Sequence, residues 1–185
     1  MTARTAWTYQ DYAALPDDGK RYEIHDGELC EMTGPTLLHQ TALFKLAKVV
    51  DAHVTARNLG RVVVAPFDVI LSDTPGETTI LQPDILFVDQ SHREALKMHG
   101  MQGPPTLAIE ILSPSTAVMD HGRKRALYAR YGVPHLWFVD PIARDIEALT
   151  LGAGEYTTVA RVSGEQPVDL PPFTDLGLVP NSLWQ

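Results

Sequence analysis

The run Thr106 to Leu112, TLAIEIL, constrains this chain more than any other. It is apolar on both side-chain parities except at Glu110. Side chains alternate along a strand, so a segment apolar on both parities belongs in the centre of a sheet that is covered on both faces. Glu110 shares its parity with Ala108 and Leu112 and must enter that covered space. An ionised carboxylate buried without a partner costs far more than the margin by which a domain is stable. The fold therefore has to bring a positive group to Glu110. Asp84 poses the same demand, because it follows Pro83 in the run ILQPDILFVD and shares parity with Leu86 and Val88. The two acids are far enough apart in sequence to lie on neighbouring strands joined by a connection, and so can converge on one point.

The remaining patterns supply the layers. Arg21 to Met32, RYEIHDGELCEM, reads as two strands about Asp26-Gly27, a pair that favours tight hairpin turns. From Thr36 to Asn58 apolar residues recur at Leu43, Leu46, Val50 and Val54, the stripe of an amphipathic helix that Gly60 is expected to end. Strands are predicted over Arg61 to Leu71, Ile80 to Asp89 and Thr106 to Leu112. A helix follows from about Ala117 to Tyr131, capped by Ser115 or Thr116 and stopped before Gly132 and Pro134. His135 to Asp140, Asp145 to Leu151 and Tyr156 to Val162 read as a closing meander of strands. The expected fold is a mixed α+β member of the α/β class. It has a mixed central sheet flanked by helices, an N-terminal hairpin and a C-terminal antiparallel meander. With 185 residues, 44% of them hydrophobic, and no internal repeat, residues 1–185 are expected to form a single domain.

Lys124 is the cation that helical geometry offers to the acids. Steps of three and four place Asp120, Lys124, Leu127 or Tyr128, and Tyr131 on one side of the second helix, the side whose apolar members should pack on the sheet. Asp120 is read as an intrahelical partner of Lys124. Arg123, Arg125 and Arg130 bring the basic residues between positions 123 and 130 to four of the chain's 15, with no acid among them. That patch matters because the net charge of −8 otherwise repels polyanions.

Two carboxylates on adjacent strands can hold Mg²⁺, a hard cation that favours oxygen ligands and keeps several waters. An ammonium beside them can help activate water and offset charge on a phosphoryl oxygen. The chemistry this pattern suggests is phosphodiester hydrolysis; the alternative, which spacing alone favours, is that the acids and lysine form a buried ion-pair network that only supports the core. Other chemistries find no footing. The histidines at 25, 39, 53, 92, 99, 121 and 135 include no pair three or four apart for a helical zinc motif. Neither Ser113 nor Ser115 sits in a GxSxG elbow, no glycine-rich phosphate loop occurs, and Cys30 stands alone. Trp7, Trp137 and Trp184 are read as core or dimer contacts rather than base-stacking platforms. No stretch approaches the roughly 18 uninterrupted apolar residues of a membrane span, and the start lacks the apolar region of a signal peptide, so a cytoplasmic protein is expected.

The stretches RYEIHDGEL, HQTALFKL, LQPDILFV and LAIEILSPSTAVMDHGRKRALYARYGVPHLWFVDP together resemble the bacterial Uma-type restriction endonuclease family of the PD-(D/E)XK nuclease superfamily. The resemblance covers most of residues 20–162 in order. It implies a restriction-endonuclease-like core with Asp84 and Glu110 as catalytic, metal-binding acids. The main-chain carbonyl of Ile111 joins them as a further metal ligand, with Mg²⁺ as the ion and Mn²⁺ as a substitute. The lysine usual two residues after the second acid is Leu112 here, so the resemblance assigns the catalytic amine to Lys124. Glu23 and His39 match recurrent family positions and are carried as supporting residues. Glu23 would brace Lys124 or a second metal, and His39 shares the stripe of Leu43, Leu46 and Val50. The implied activity is endonucleolytic hydrolysis of DNA, with RNA or branched nucleic acid as open alternatives and a homodimer expected for cutting two strands. Two rivals stand beside it. One is a noncatalytic nucleic-acid-binding or protein-interaction module that keeps the fold. The other is a metal-free glycosidase using the paired acids, against which the inward lysine argues.

Overall fold

The computed structural model describes residues 6–113 and 120–185, apart from the side chains of residues 120 and 121. The expected cap at Ser115 or Thr116 and the Asp120 pairing therefore lie outside the described residues. After a short helix α1 (Tyr9–Ala13), β1 (Arg21–His25) and β2 (Glu28–Met32) form the expected hairpin. His25 pairs with Glu28 across a two-residue turn in which Asp26 and Gly27 both have positive φ, at 52° and 79°. This is the conformation for which Asp-Gly is suited. α2 (Leu37–Arg57) begins at Thr36, whose hydroxyl accepts a hydrogen bond from the His39 amide. It ends at Asn58 in the left-handed conformation rather than at Gly60. Gly60 instead opens β3 (Gly60–Val64), where a Cβ would come within 2.1 Å of the Val88 carbonyl oxygen.

The strand-like runs then divide between two six-stranded mixed sheets, a division that periodicity alone does not show. Arg61 to Leu71 splits into β3 and β4 (Asp68–Ser72), with Pro66 between them. Ile80 to Asp89 splits into β5 (Thr79–Leu81) and β6 (Ile85–Asp89), with Pro83 between them. Proline has no amide to give to a ladder, so each run leaves one sheet at its proline and enters the other. The two crossings touch where the Ala65 amide donates to the Asp84 carbonyl at 3.0 Å. A 3₁₀ turn (Gln90–Ala95) and the short strands β7 (Leu96–Lys97) and β8 (Gly100–Gln102) follow, none of them anticipated from the sequence. β9 (Leu107–Ile111), a π turn (Asp120–Lys124), α3 (Arg125–Arg130), β10 (His135–Asp140), β11 (Asp145–Gly152) and β12 (Glu155–Val162) complete the order. One sheet runs β2-β1-β5-β4-β8-β7 and the other β12-β11-β10-β9-β6-β3.

β9 is covered on both faces, as TLAIEIL requires. Ile109 and Ile111 pack with Ala42, Leu46 and Val50 of α2, while Ala108 and Leu112 pack with Leu127 and Tyr128 of α3. Each fully buried aliphatic side chain contributes roughly 1.5–3 kcal/mol through its removal from water. The tail beyond β12 closes the α2 side with Leu170, Phe173, Leu178 and Leu183. The indole of Trp137 is fully buried there and donates to the Pro171 carbonyl at 2.7 Å. Trp7 and Trp184 pack partly buried against core clusters. Among the described residues no helix is long and apolar enough to cross a membrane.

Candidate active site

Strand register brings the two acids together. β6 and β9 are antiparallel with Ile85 opposite Ile109 and Leu86 opposite Ala108, so one step further Asp84 faces Glu110. Residues directly opposite in an antiparallel pair project to the same face about 5 Å apart. Both are buried, at 6% and 3% exposure, and both line one cleft at the end of the strands. Asp84 Oδ2 accepts from the Ile111 amide at 2.8 Å and lies 3.1 Å from His39 Nε2. The amide and carbonyl of a strand residue point to the same side, so the Ile111 carbonyl shares the edge on which Asp84 stands.

Lys124 enters from the opposite layer, at 2% exposure. Its Nζ donates to both Glu110 oxygens at 3.2 Å and to Glu23 Oε1 at 2.9 Å. Tyr128, one helical turn on, donates its hydroxyl to Glu110 Oε1 at 2.7 Å. Glu23 is fully buried and also accepts from the Gln82 amide at 2.8 Å, while its Oε2 meets His25 Nε2 at 2.8 Å. The structure thus gathers Asp84, Glu110, Ile111, Lys124 and His39 around one cleft, with Glu23 buried behind Lys124. The sequence reading missed three contributors. His25 stands on the parity of Arg21 and Glu23, a sign that was available. Tyr128 was read as packing alone, and Gln82 lies at the sheet crossing, where no periodicity applies.

The expected basic patch does not present itself as a free surface. Arg123 pairs with Glu28 at 2.8 Å and donates to the His25 carbonyl at 2.7 Å. Arg125 donates to the Tyr156 carbonyl at 2.9 Å, and Arg130 pairs with Asp26 at 2.7 Å. These arginines clamp α3 to the hairpin and to β12, a use that side-chain spacing could not reveal.

The charges of the buried cluster are coupled. Burial works against the carboxylate of Glu23, but Lys124 and His25 outweigh it and hold the group well below the ordinary glutamate range. Burial likewise opposes the imidazolium of His25, yet the nearby Cys30 and Glu23 carboxylate raise it from 6.5 to about 9. A histidine whose value is raised in the folded state adds stability that is fully present below its unfolded value and is lost as pH rises through the folded one. Urea unfolding is therefore expected to show stability falling between pH 6.5 and about 9, by up to about 3 kcal/mol. The fall should be largely absent in His25→Gln.

Among the described residues no group of three or more His, Cys, Asp and Glu side chains forms a metal cage. The donors available are two carboxylates and a main-chain carbonyl, an all-oxygen set that suits Mg²⁺ retaining several waters. Asp84 Oδ1 has no hydrogen-bond partner among the described residues and is the oxygen best placed to accept a cation.

Two six-stranded mixed sheets, with chain crossings at Pro66 and Pro83, make up the fold. A crystal structure of a putative nuclease belonging to DUF820 from Anabaena variabilis ATCC 29413 shares it. The TM-score is 0.72, with 17% identity over 96% of this chain and 97% of that one. The sequence matches the Uma2 family, described as putative restriction endonuclease, over residues 9–181, and the chain belongs to that family. No curated protein matches the sequence.

Proposed function

We propose that this protein is a divalent-metal-dependent endonuclease that hydrolyses phosphodiester bonds of DNA. The observation that carries the reading is the meeting of Asp84, Glu110 and Lys124 at one cleft, with Asp84 opposite Glu110 by strand register. Asp84, Glu110 and the Ile111 carbonyl would hold Mg²⁺ or Mn²⁺. Such an ion acidifies water and offsets charge on phosphoryl oxygens when bound. The chain's own groups do the rest. His39 and the Ile111 amide hold Asp84 at Oδ2 and leave Oδ1 turned to the cleft. Tyr128 fixes the Glu110 carboxylate. Lys124, ion-paired with Glu23 and Glu110, brings a positive charge that stabilises the negative charge growing on the phosphate during in-line attack. Cutting both strands of a duplex calls for two such sites, which a homodimer would supply, or for one site that acts twice.

A second reading is favoured by one observation: both Glu110 oxygens are already engaged by Lys124. On that reading the cluster is a structural ion network inside a noncatalytic binding module. Incubation with plasmid, single-stranded DNA and RNA, each with Mg²⁺, Mn²⁺ or a chelator, separates the two. The nuclease reading expects cleavage that requires the metal and is abolished by the chelator. Salt-dependent binding with no cleavage of any substrate would favour the module.

A further inference from the structure

An enzyme acting on a polyanion needs a cation at the mouth of its cleft, and a chain of charge −8 has few to spare. Arg123 of the π turn and Arg125 and Arg130 of α3 are committed to Glu28, Asp26 and main-chain carbonyls. Arg21 is not. It begins β1 on the parity of Glu23 and His25 and lines the cleft that Asp84 and Glu110 share. Its Nε donates to Gln82 Oε1 at 3.3 Å. The Gln82 amide is itself fixed, because its Nε2 donates to Asp68 Oδ1 at 2.8 Å and to the Tyr12 hydroxyl at 3.1 Å. Tyr12 in turn donates to Asp68 Oδ1 at 2.8 Å. With both nitrogen donors of that amide consumed, its oxygen must face Arg21. Among the described residues the terminal nitrogens Nη1 and Nη2 of Arg21 have no partner. A guanidinium aimed through Nε with its two amines open is a fork that fits two phosphate oxygens.

We infer that Arg21 is a phosphate-binding residue of the cleft, gripping a backbone phosphate next to the bond to be cut. Gln82, Tyr12 and Asp68 position it. The inference rests on the nuclease reading and deepens it by naming a nucleic-acid backbone contact. It needs no chemistry at Arg21, only a directed pair of hydrogen bonds and a charge that the substrate meets before it reaches the acids.

The test measures binding of labelled single-stranded and duplex DNA to the full chain across a series of salt concentrations, with chelator present to prevent turnover. Arg21→Ala is expected to weaken binding roughly tenfold to hundredfold. It should also reduce the slope of log affinity against log salt by about 0.7–0.9, the share of one phosphate contact. Arg21→Lys should keep the slope but bind more weakly than wild type, since an ammonium cannot be aimed through Nε. It serves as the second variant if the alanine form folds poorly, and circular dichroism checks both. Arg161→Ala, on the far edge where Arg161 pairs with Asp145 and Glu147, should change nothing. An unchanged slope in folded Arg21→Ala, with wild type binding DNA, would overturn the assignment and leave the nuclease reading standing. Failure of the wild type to bind any nucleic acid would overturn both.

Discussion

Replacing Lys124 by methionine is expected to destabilise the chain by about 3–5 kcal/mol, measured by urea unfolding at neutral pH. The two side chains are of similar length, so the loss reports charge rather than a cavity. Lys124 lies between Glu23 and Glu110, which are exposed by only 0% and 3%. Without its ammonium both carboxylates lose the ion pair that offsets their removal from water. The cost should shrink when an acid is removed with the lysine. Lys124→Met combined with Glu110→Gln is expected to regain a large part of the lost stability, because one uncompensated charge disappears and the amide still accepts from Tyr128. A single-variant loss below about 1 kcal/mol, the range of exposed pairs, would contradict this picture of a tightly desolvated triad.

Asp84→Asn should do the reverse: leave the fold nearly untouched and remove activity. With its oxygen in the place of Oδ2, the asparagine still accepts from the Ile111 amide and still meets His39, so the local hydrogen bonds persist, and its NH2 group takes the Oδ1 position. It loses the negative charge that draws a cation. Hydrolysis of DNA is expected to fall on the order of 10³-fold, equivalent to about 4 kcal/mol of transition-state stabilisation. His39→Gln should cost less, roughly 10–100-fold, because His39 orients Asp84 and does not replace its charge. Equal losses in the two variants would point to a histidine with a direct role.

The contrast between these variants follows from how the site is encoded. Glu110 was legible because the six residues Leu107 to Leu112 are apolar but for one acid, a pattern with few solutions. Asp84 followed from alternation along its strand, and Lys124 from helical steps that placed Tyr128 on the same side. Each is a local signal tied to burial. The resemblance to a nuclease family added Ile111, Glu23 and His39, which the residues alone did not single out. The division into two sheets was hidden because Pro66 and Pro83 interrupt runs whose composition stays strand-like on both sides. Only tertiary pairing decides which sheet each half joins. The arginine cluster was misread as an open basic surface for a similar reason: its partners Glu28, Asp26 and the Tyr156 carbonyl come from the hairpin and β12, far away in sequence. The tail from Leu170 to Leu183 joins the core through scattered residues without a period, so no pattern announced it.

Calorimetric titration with Mn²⁺ and Mg²⁺ of the wild type, Asp84→Asn and Glu110→Gln, each verified as folded, reads out whether Asp84 and Glu110 hold a divalent ion. The wild type is expected to bind the ion, and each variant to lose at least about 100-fold in affinity, more than the loss of an outer hydrogen-bond partner would cause. A wild type that binds neither ion, with variants that differ from it in stability alone, would contradict the metal site and make the cluster structural.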